Sequence, residues 1–395
     1  MHLSDRGTVK AIQEGPYLQY FLGMPKYEDK PPFDPSLMVS FRKRLDIDAM
    51  GEITKTIAEY EKKTDPVGKP DSTNHSEAMN LTETAMESAD STEAANKGTL
   101  IIDATCAPVN IRYPQDISLL NEAREILDAI LNRICAEYGY TKPRTYCRVA
   151  RKMYLDIAKA KRKPLKKLRW AIRKMLNCVA RNPRYLGEFL EKGALLDPRE
   201  AEKIQVLKKV YEQQKYMYDN KVNRVDDRIV SIHMPFVRPI VRGKAKAPTE
   251  FGPKYDLSVD DKGFKQIEYF SFDAYNEAGH LQEAIEHYKE RTGVYPEKVL
   301  ADTIYRNTSN RQFCSSHGIH MSGPRLGRKP KDHQQRTEEK AIERQDMIER
   351  IEVERCFSRE KGSFGLSLIR EKLKETVGST AGLAILLDNI VPVGF

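Results

Sequence analysis

Two short, unbroken apolar runs in this chain each stop at an acid. Leu100-Ile101-Ile102 ends at Asp103, and Val299-Leu300-Ala301 ends at Asp302. Runs this short and this rich in branched residues predict strands buried on both faces, where no polar alternation is needed. The first strand is predicted over 99–104, and another ends at Asp302. After the first strand the period changes. Asp116 caps a helix whose apolar positions Leu119, Leu120, Ala123, Ile126, Leu127, Ile130 and Leu131 recur at helical spacing. Helical patterning continues to about residue 223, with breaks predicted at Pro143, Pro164, Pro183 and Pro198. From residue 227 the segments 228–232, 237–241 and 255–259 read as strands or extended segments and 266–272 as a further strand, with a turn at 260–263. A helix over 276–292 precedes the strand that ends at Asp302. A long charged helix is predicted over 336–358, and the tail from Leu366 is helical and then apolar.

The N-terminal 1–62 reads as a helical module and a candidate for DNA binding. Asp34 and Pro35 form a cap and first turn, and Leu37, Met38, Phe41 and Leu45 share one face. A second helix covers 48–62. Two short helices with basic residues suit a helix-turn-helix, and equally a helical unit that touches no groove. Residues 63–98 are rich in Ser, Thr, Asn, Glu and Ala, too polar to offset ordering entropy, and predict a flexible linker. The fold class expected is therefore α/β. A mixed-sheet core is laid down in two parts, 99–115 and 227–365, separated by a helical insertion over 116–226 and followed by a tail over 366–395.

Charge changes the picture most in the insertion. The chain carries a net +9, yet residues 141–176 hold fourteen Lys plus Arg against one acid, Asp156, so that segment is +13 and the remainder −4. Lys161, Arg162, Lys163, Lys166 and Lys167 are its densest part. Such a block can be a solvated helix face, a membrane-surface helix or a polyanion site, and its concentration on one element favours nucleic acid. Tyr146, Tyr154 and Trp170 are interleaved with it and suit base stacking or helix packing. With 395 residues, two or three domains are expected. No apolar run is long enough for a transmembrane helix, and the first 15 residues carry no signal pattern, so a cytoplasmic protein is expected. Six cysteines form no CxxC pair, which argues against a zinc knuckle or a disulfide framework. His317 and His320 beside Cys314 lack an evident fourth ligand.

A carboxylate at the end of a buried strand is fixed by the sheet and faces solvent. Asp103 and Asp302 are so placed, and acids gathered in that way form a hard-oxygen pocket suited to Mg²⁺ or Mn²⁺. The two are 199 residues apart, so they meet only if strands on either side of the insertion join one sheet. Among 57 acids, composition does not single out a third.

Several segments resemble bacterial insertion-sequence transposases of the DDE type, specifically the insertion-sequence-five type. Phe21-Leu22-Gly23, 32–37 and 41–45 are similar to that family's N-terminal helical region. Ile102-Asp103-Ala104-Thr105 with Arg112-Tyr113-Pro114 resembles the first catalytic segment, 238–244 and 250–254 the middle strands, and 301–306 the second catalytic segment. Gly323-Pro324 and Leu326-Gly327-Arg328, followed by Lys329, resemble the basic loop after it. The third segment of the family is a Tyr, Arg, Glu, Lys signature on one helix. Arg350, Glu354 and Lys361 keep its last two spacings, while Met347 stands at the tyrosine position. Positions i, i+4 and i+11 lie close to one helix face, and Glu352 is ~200° round from Glu354.

The resemblance implies an RNase-H-like core and two divalent ions, Mg²⁺ or Mn²⁺, held by Asp103, Asp302 and Glu354. It also implies cleavage at the element ends and transfer of the 3′-hydroxyl to target DNA. Arg350 and Lys361 are then phosphate contacts, with Arg328, Lys329 and the insertion's cations as further DNA contacts. The partners implied are double-stranded DNA, both terminal repeats and target, and a second copy of the chain, since synapsis joins two ends. The location implied is the bacterial cytoplasm, at the nucleoid. The alternatives are a catalytically silent DNA-binding relative and a nuclease that cuts without joining.

Overall fold

The computed structural model describes residues 3–64, 95–241, 249–327 and 332–391. Most of the predicted linker, 65–94, and both Arg328 and Lys329 lie outside the described residues.

The chain opens with helices α1 (Asp5–Glu14), α2 (Pro16–Phe21), α3 (Leu37–Arg44) and α4 (Ile47–Thr64). Strand β1 (Thr99–Cys106) is followed by helices α5 (Asp116–Tyr138), α6 (Cys147–Ala158), α7 (Leu165–Glu191) and α8 (Pro198–Asn220). Strands β2 (Pro239–Val241), β3 (Thr249–Phe251), β4 (Lys254–Asp260) and β5 (Lys265–Ser271) come next. Then follow α9 (Leu281–Thr292), β6 (Lys298–Ala301), α10 (Thr308–Ser316), β7 (His320–Met321), α11 (His333–Gly362) and α12 (Lys374–Ile390).

Five strands form a mixed sheet in the order β5-β4-β1-β6-β7. β1 pairs antiparallel with β4 and parallel with β6, so both its neighbours come from beyond the helical insertion. Both faces of the sheet are covered, which explains the unbroken apolar runs. Ile101, Leu257 and Leu300 pack against Val353 and Cys356 of α11 and Val377 and Ile385 of α12. On the other face Leu100, Ile102 and Val299 pack against Leu281, Ile285 and Tyr288 of α9. β2 and β3 form a separate two-stranded ribbon.

Helices α5 to α8 enclose a core of their own built from Leu120, Leu127, Ile157, Met175, Val179 and Val210. Inside it Arg124 donates to Asp128 at 2.6 Å, and the Asn182 amide donates to the same carboxylate at 2.9 Å. The break predicted at Pro183 is absent: α7 runs straight through it. An interior proline costs about 3 kcal/mol. Beyond it, however, Leu186 and Phe189 are buried, and each such side chain contributes roughly 1.5–3 kcal/mol. Continuing the helix therefore wins.

Residues 228–232 are not a strand. Their apolar residues divide between two cores: Ile229 and Ile232 enter the insertion's core and Val230 the sheet's core. The segment is extended across a boundary and pairs with no strand. The strand predicted over 237–241 shortens to β2, and the helix predicted over 276–292 begins as a 3-10 turn, Glu277–Gly279, before α9.

The N-terminal helices do not stand apart. α3 and α4 pack on α12, where Ser379 Oγ donates to the Arg42 carbonyl at 2.6 Å and Gly382 lies beneath Met50. The Arg42 guanidinium is turned inward to Asp5, at 2.6 and 2.9 Å. Among the described residues no helix is long and apolar enough to cross a membrane.

Candidate active site and nucleic-acid interface

Parallel register between β1 and β6 ends at the pair Ile102 and Ala301. Asp103, still within β1, and Asp302, just past the end of β6, are the next residues, so two acids 199 residues apart come side by side. Alternation puts both on the face that Ile101 and Leu300 present to α11. Asp103 is partly buried, and its Oδ1 accepts from the Ala104 N–H at 2.8 Å. Asp302 caps the 3-10 turn Thr303–Tyr305, with Oδ1 accepting from the Thr303 N–H at 2.6 Å.

α11 crosses this edge and seats itself through Asp346, Val353, Cys356 and Glu360, the residues it buries. Glu354 follows Val353 and is 60% exposed. Arg350, one turn earlier, reaches both sides of the site. Its Nη1 is 3.3 Å from Asp103 Oδ2 and its Nη2 is 3.6 Å from Glu354 Oε1. Lys361 Nζ donates to Thr105 Oγ1 on β1 at 2.7 Å. Glu352 turns away and pairs with Arg355 and Arg359 at 3.2 and 3.6 Å. Met347 is well exposed. Among the described residues no three His, Cys, Asp or Glu side chains converge closely enough to hold a metal ion. The guanidinium of Arg350, not an acid cluster, joins Asp103 to Glu354.

The local field acts on Asp103. Burial raises its carboxyl above the ordinary carboxylate range. The Ala104 N–H and the Arg350 charge oppose this, and the charges of Asp302 and Glu277 add to it.

The motif at Cys314, His317 and His320 resolves into packing. Cys314 is buried, which pushes its thiol up to about 11. The His317 ring packs on Phe313 and Tyr295, and His320 Nε2 contacts Asp346 Oδ2 at 2.8 Å.

The basic block forms the exposed end of the insertion. Lys161, Arg162 and Lys163 lie in the turn between α6 and α7, and Lys166 and Lys167 in the first turn of α7, all exposed. No acid occupies that first turn. The helix N-terminus carries positive partial charge, so cations there cost stability on the order of 0.3–1 kcal/mol each. Among the described residues no ion pair engages any of the fourteen Lys and Arg of 141–176; Lys163 has only the Gln115 amide oxygen, at 3.4 Å. Charge gathered against its own electrostatics, with no internal counter-ion, suits an external polyanion. Trp170 and Tyr146 are about half exposed, with the Arg144 guanidinium 4.7 Å and that of Arg181 5.2 Å from the Tyr146 ring centre. Tyr154 is buried in the insertion's core, so its role is packing and not stacking.

Residues 299–391 match the family model for a transposase DDE domain, and residues 1–44 match one for a transposase domain (DUF772). Both matches are consistent with an insertion-sequence DDE transposase. No curated protein and no solved structure matches it. The DDE match spans Asp302, Arg350, Glu354 and Lys361, whereas Asp103 lies outside both matches and joins them through sheet register and the Arg350 contact.

Two further acids carry no clear signal in the sequence. Asp256 on β4 pairs with Ala104 and is fully buried on the sheet face opposite Asp103. Its Oδ1 accepts from the Tyr275 hydroxyl at 2.7 Å, and its Oδ2 finds no partner among the described residues. Burial lifts its carboxyl to about 7, against the Tyr275 bond and the Lys254 charge. Glu360 on α11 is also fully buried, accepts from the Tyr255 hydroxyl at 2.7 Å, and is lifted by burial to about 7. Asp256 falls at a polar position of the alternating segment 255–259, the pattern of a solvated strand face, so the sequence does not mark it as buried.

Proposed function

We propose that this transposase cuts DNA strands at the ends of an insertion sequence and transfers the freed 3′-hydroxyl to target DNA. Asp103, Asp302 and Glu354 are its catalytic carboxylates on an RNase-H-like core. The observation that carries the reading is the β1–β6 register, which sets Asp103 beside Asp302 across from the helix that bears Arg350, Glu354 and Lys361. The mixed sheet split by a helical insertion supports the RNase-H-like assignment, and the match over 1–44 supports the insertion-sequence type.

Asp103, Asp302 and Glu354 would hold the divalent ions, Mg²⁺ or Mn²⁺. Their chemistry fits such ions: the donors are all hard oxygens, and the Asp302 charge helps raise the Asp103 carboxyl, a repulsion that a cation between them relieves. When bound, the ions supply Lewis acidity and charge neutralisation for an in-line phosphodiester displacement. Little covalent chemistry falls to the side chains, so they position and neutralise. Arg350, now shared between Asp103 and Glu354, is a guanidinium suited to a phosphate beside the scissile bond. Lys361 offers an ammonium on the same face. The exposed cations of the insertion grip the flanking duplex, and two copies of the chain bring two element ends together.

A strand-transfer assay with end-labelled element DNA tests this. Joined product that depends on added Mg²⁺ or Mn²⁺ supports the reading. Cleavage without joining would leave a nuclease, and binding without cleavage a silent DNA-binding relative.

A further inference from the structure

Thr105 is the last polar residue on the active face of β1. It lies two residues past Asp103, so both side chains emerge on one face of the strand. Thr105 is buried at 3% exposure, and its Oγ1 accepts from Lys361 Nζ at 2.7 Å. Lys361 lies in the last turn of α11, two helical turns beyond Glu354. A lysine at a helix end is ordinarily a mobile surface cation. Here its long stem is drawn inward and its tip is fixed to a rigid strand. An ammonium has three donors, so a bond to threonine is compatible with a bond to a phosphate oxygen.

We infer that Thr105 is a positioning residue whose buried hydroxyl holds the Lys361 ammonium beside Asp103 as a preset receptor for a phosphate oxygen of the strand being cut. The inference rests on the proposed transposase reading. Across the sheet Thr105 pairs with Tyr255, whose hydroxyl donates to Glu360, so on that face it is the threonine hydroxyl that meets the Lys361 ammonium. The strand then has two functions on one face. Asp103 presents the carboxylate, and Thr105, the next residue on that face, sets the cation.

The test uses the full chain and three substitutions, Thr105→Val, Thr105→Ser and Lys361→Ala. Valine keeps the volume and branching of threonine and removes the acceptor. Nicking of supercoiled plasmid in Mn²⁺ should fall about tenfold in Thr105→Val, the size expected for one charge-assisted hydrogen bond, and stay near wild type in Thr105→Ser. Adding Thr105→Val to Lys361→Ala should cause no further loss, because the two act as one unit. Wild-type nicking in Thr105→Val, or a double variant whose loss is the product of the two single losses, would overturn the inference. A second measurement does not need cleavage. The rate of Lys361 acetylation by acetic anhydride, followed by mass spectrometry, should rise severalfold in Thr105→Val and not in Thr105→Ser. An unchanged rate overturns the positioning role. A wild type that never nicks DNA, with the acetylation difference intact, would sink the catalytic reading and keep the contact.

Discussion

Arg350 lies 3.3 Å from Asp103, although 247 residues separate them, and the same guanidinium reaches Glu354 at 3.6 Å. One side chain thus offsets two of the three candidate carboxylates. Neutralising any of the three should remove cleavage while leaving DNA affinity near wild type. Asp103→Asn, Asp302→Asn and Glu354→Gln should each raise the barrier by several kcal/mol, roughly a hundredfold or more in rate. Glu352→Gln should be far milder, since Arg355 and Arg359 already hold that carboxylate. Nicking rates in Mg²⁺ check the set; near-wild-type cleavage by Asp302→Asn would refute the assignment.

Salt dependence reads the basic block. Changing Lys161, Arg162, Lys163, Lys166 and Lys167 to Ala should weaken binding to any duplex, lowering the log–log salt slope by roughly one per lost phosphate contact. Fluorescence anisotropy across a salt series measures it. The variant should fold as well as wild type, because all five side chains are exposed. An unchanged slope would assign the block to solvent.

Stability should decline as pH rises from about 4 to about 7. Asp256 and Glu360 are both lifted to about 7 in the folded chain, whereas an unfolded carboxyl titrates near 4. Between those values the native state binds more protons than the unfolded state, so each unit of pH costs stability, and above 7 the loss is complete. Asp256→Asn should flatten part of that slope and gain on the order of 1 kcal/mol or more relative to wild type at pH 8. Urea titrations at pH 5 and pH 8 give the comparison. A wild type equally stable at both would contradict the burial account.

Gly382 controls how the N-terminal helices sit. A Cβ there would come within 2.8 Å of Met50 Cβ. Gly382→Val should cost about 1–3 kcal/mol through overpacking and loosen α3 and α4 from α12. After protease nicking between 65 and 94, the wild-type fragments should elute together on gel filtration, and those of the variant should separate. Separation in the wild type would mean that the packing is too weak to hold.

The sequence made legible those elements whose pattern is local. The strands ending at Asp103 and Asp302 stand out because an acid stops an apolar run, and α5 and α11 because of their spacing. Glu354 is invisible to composition and emerges only through the family resemblance, whose signature spacing it shares with Arg350 and Lys361. Asp256 is hard to single out because an acid inside a strand has the same local look as a bulge or an edge. Residues 228–232 mislead because one short apolar segment divides its side chains between two cores. α12 receives α3 and α4 through Gly378, Ser379 and Gly382, small residues that share one helix face but do not say which partner covers it.

The pairing of β1 sets an order on synthesis. Its two neighbours begin at Lys254 and Lys298, so β1 leaves the ribosome well over a hundred residues before either partner exists. The cationic helices, whose contacts are mostly among themselves, are finished first. A chain that stopped before Lys298 would own the positive surface and Asp103 but neither Asp302 nor Glu354. If the positive surface binds DNA as proposed, such a fragment would occupy DNA without the second and third carboxylates, so premature termination would yield not a mere loss of enzyme but a competitor for its substrate.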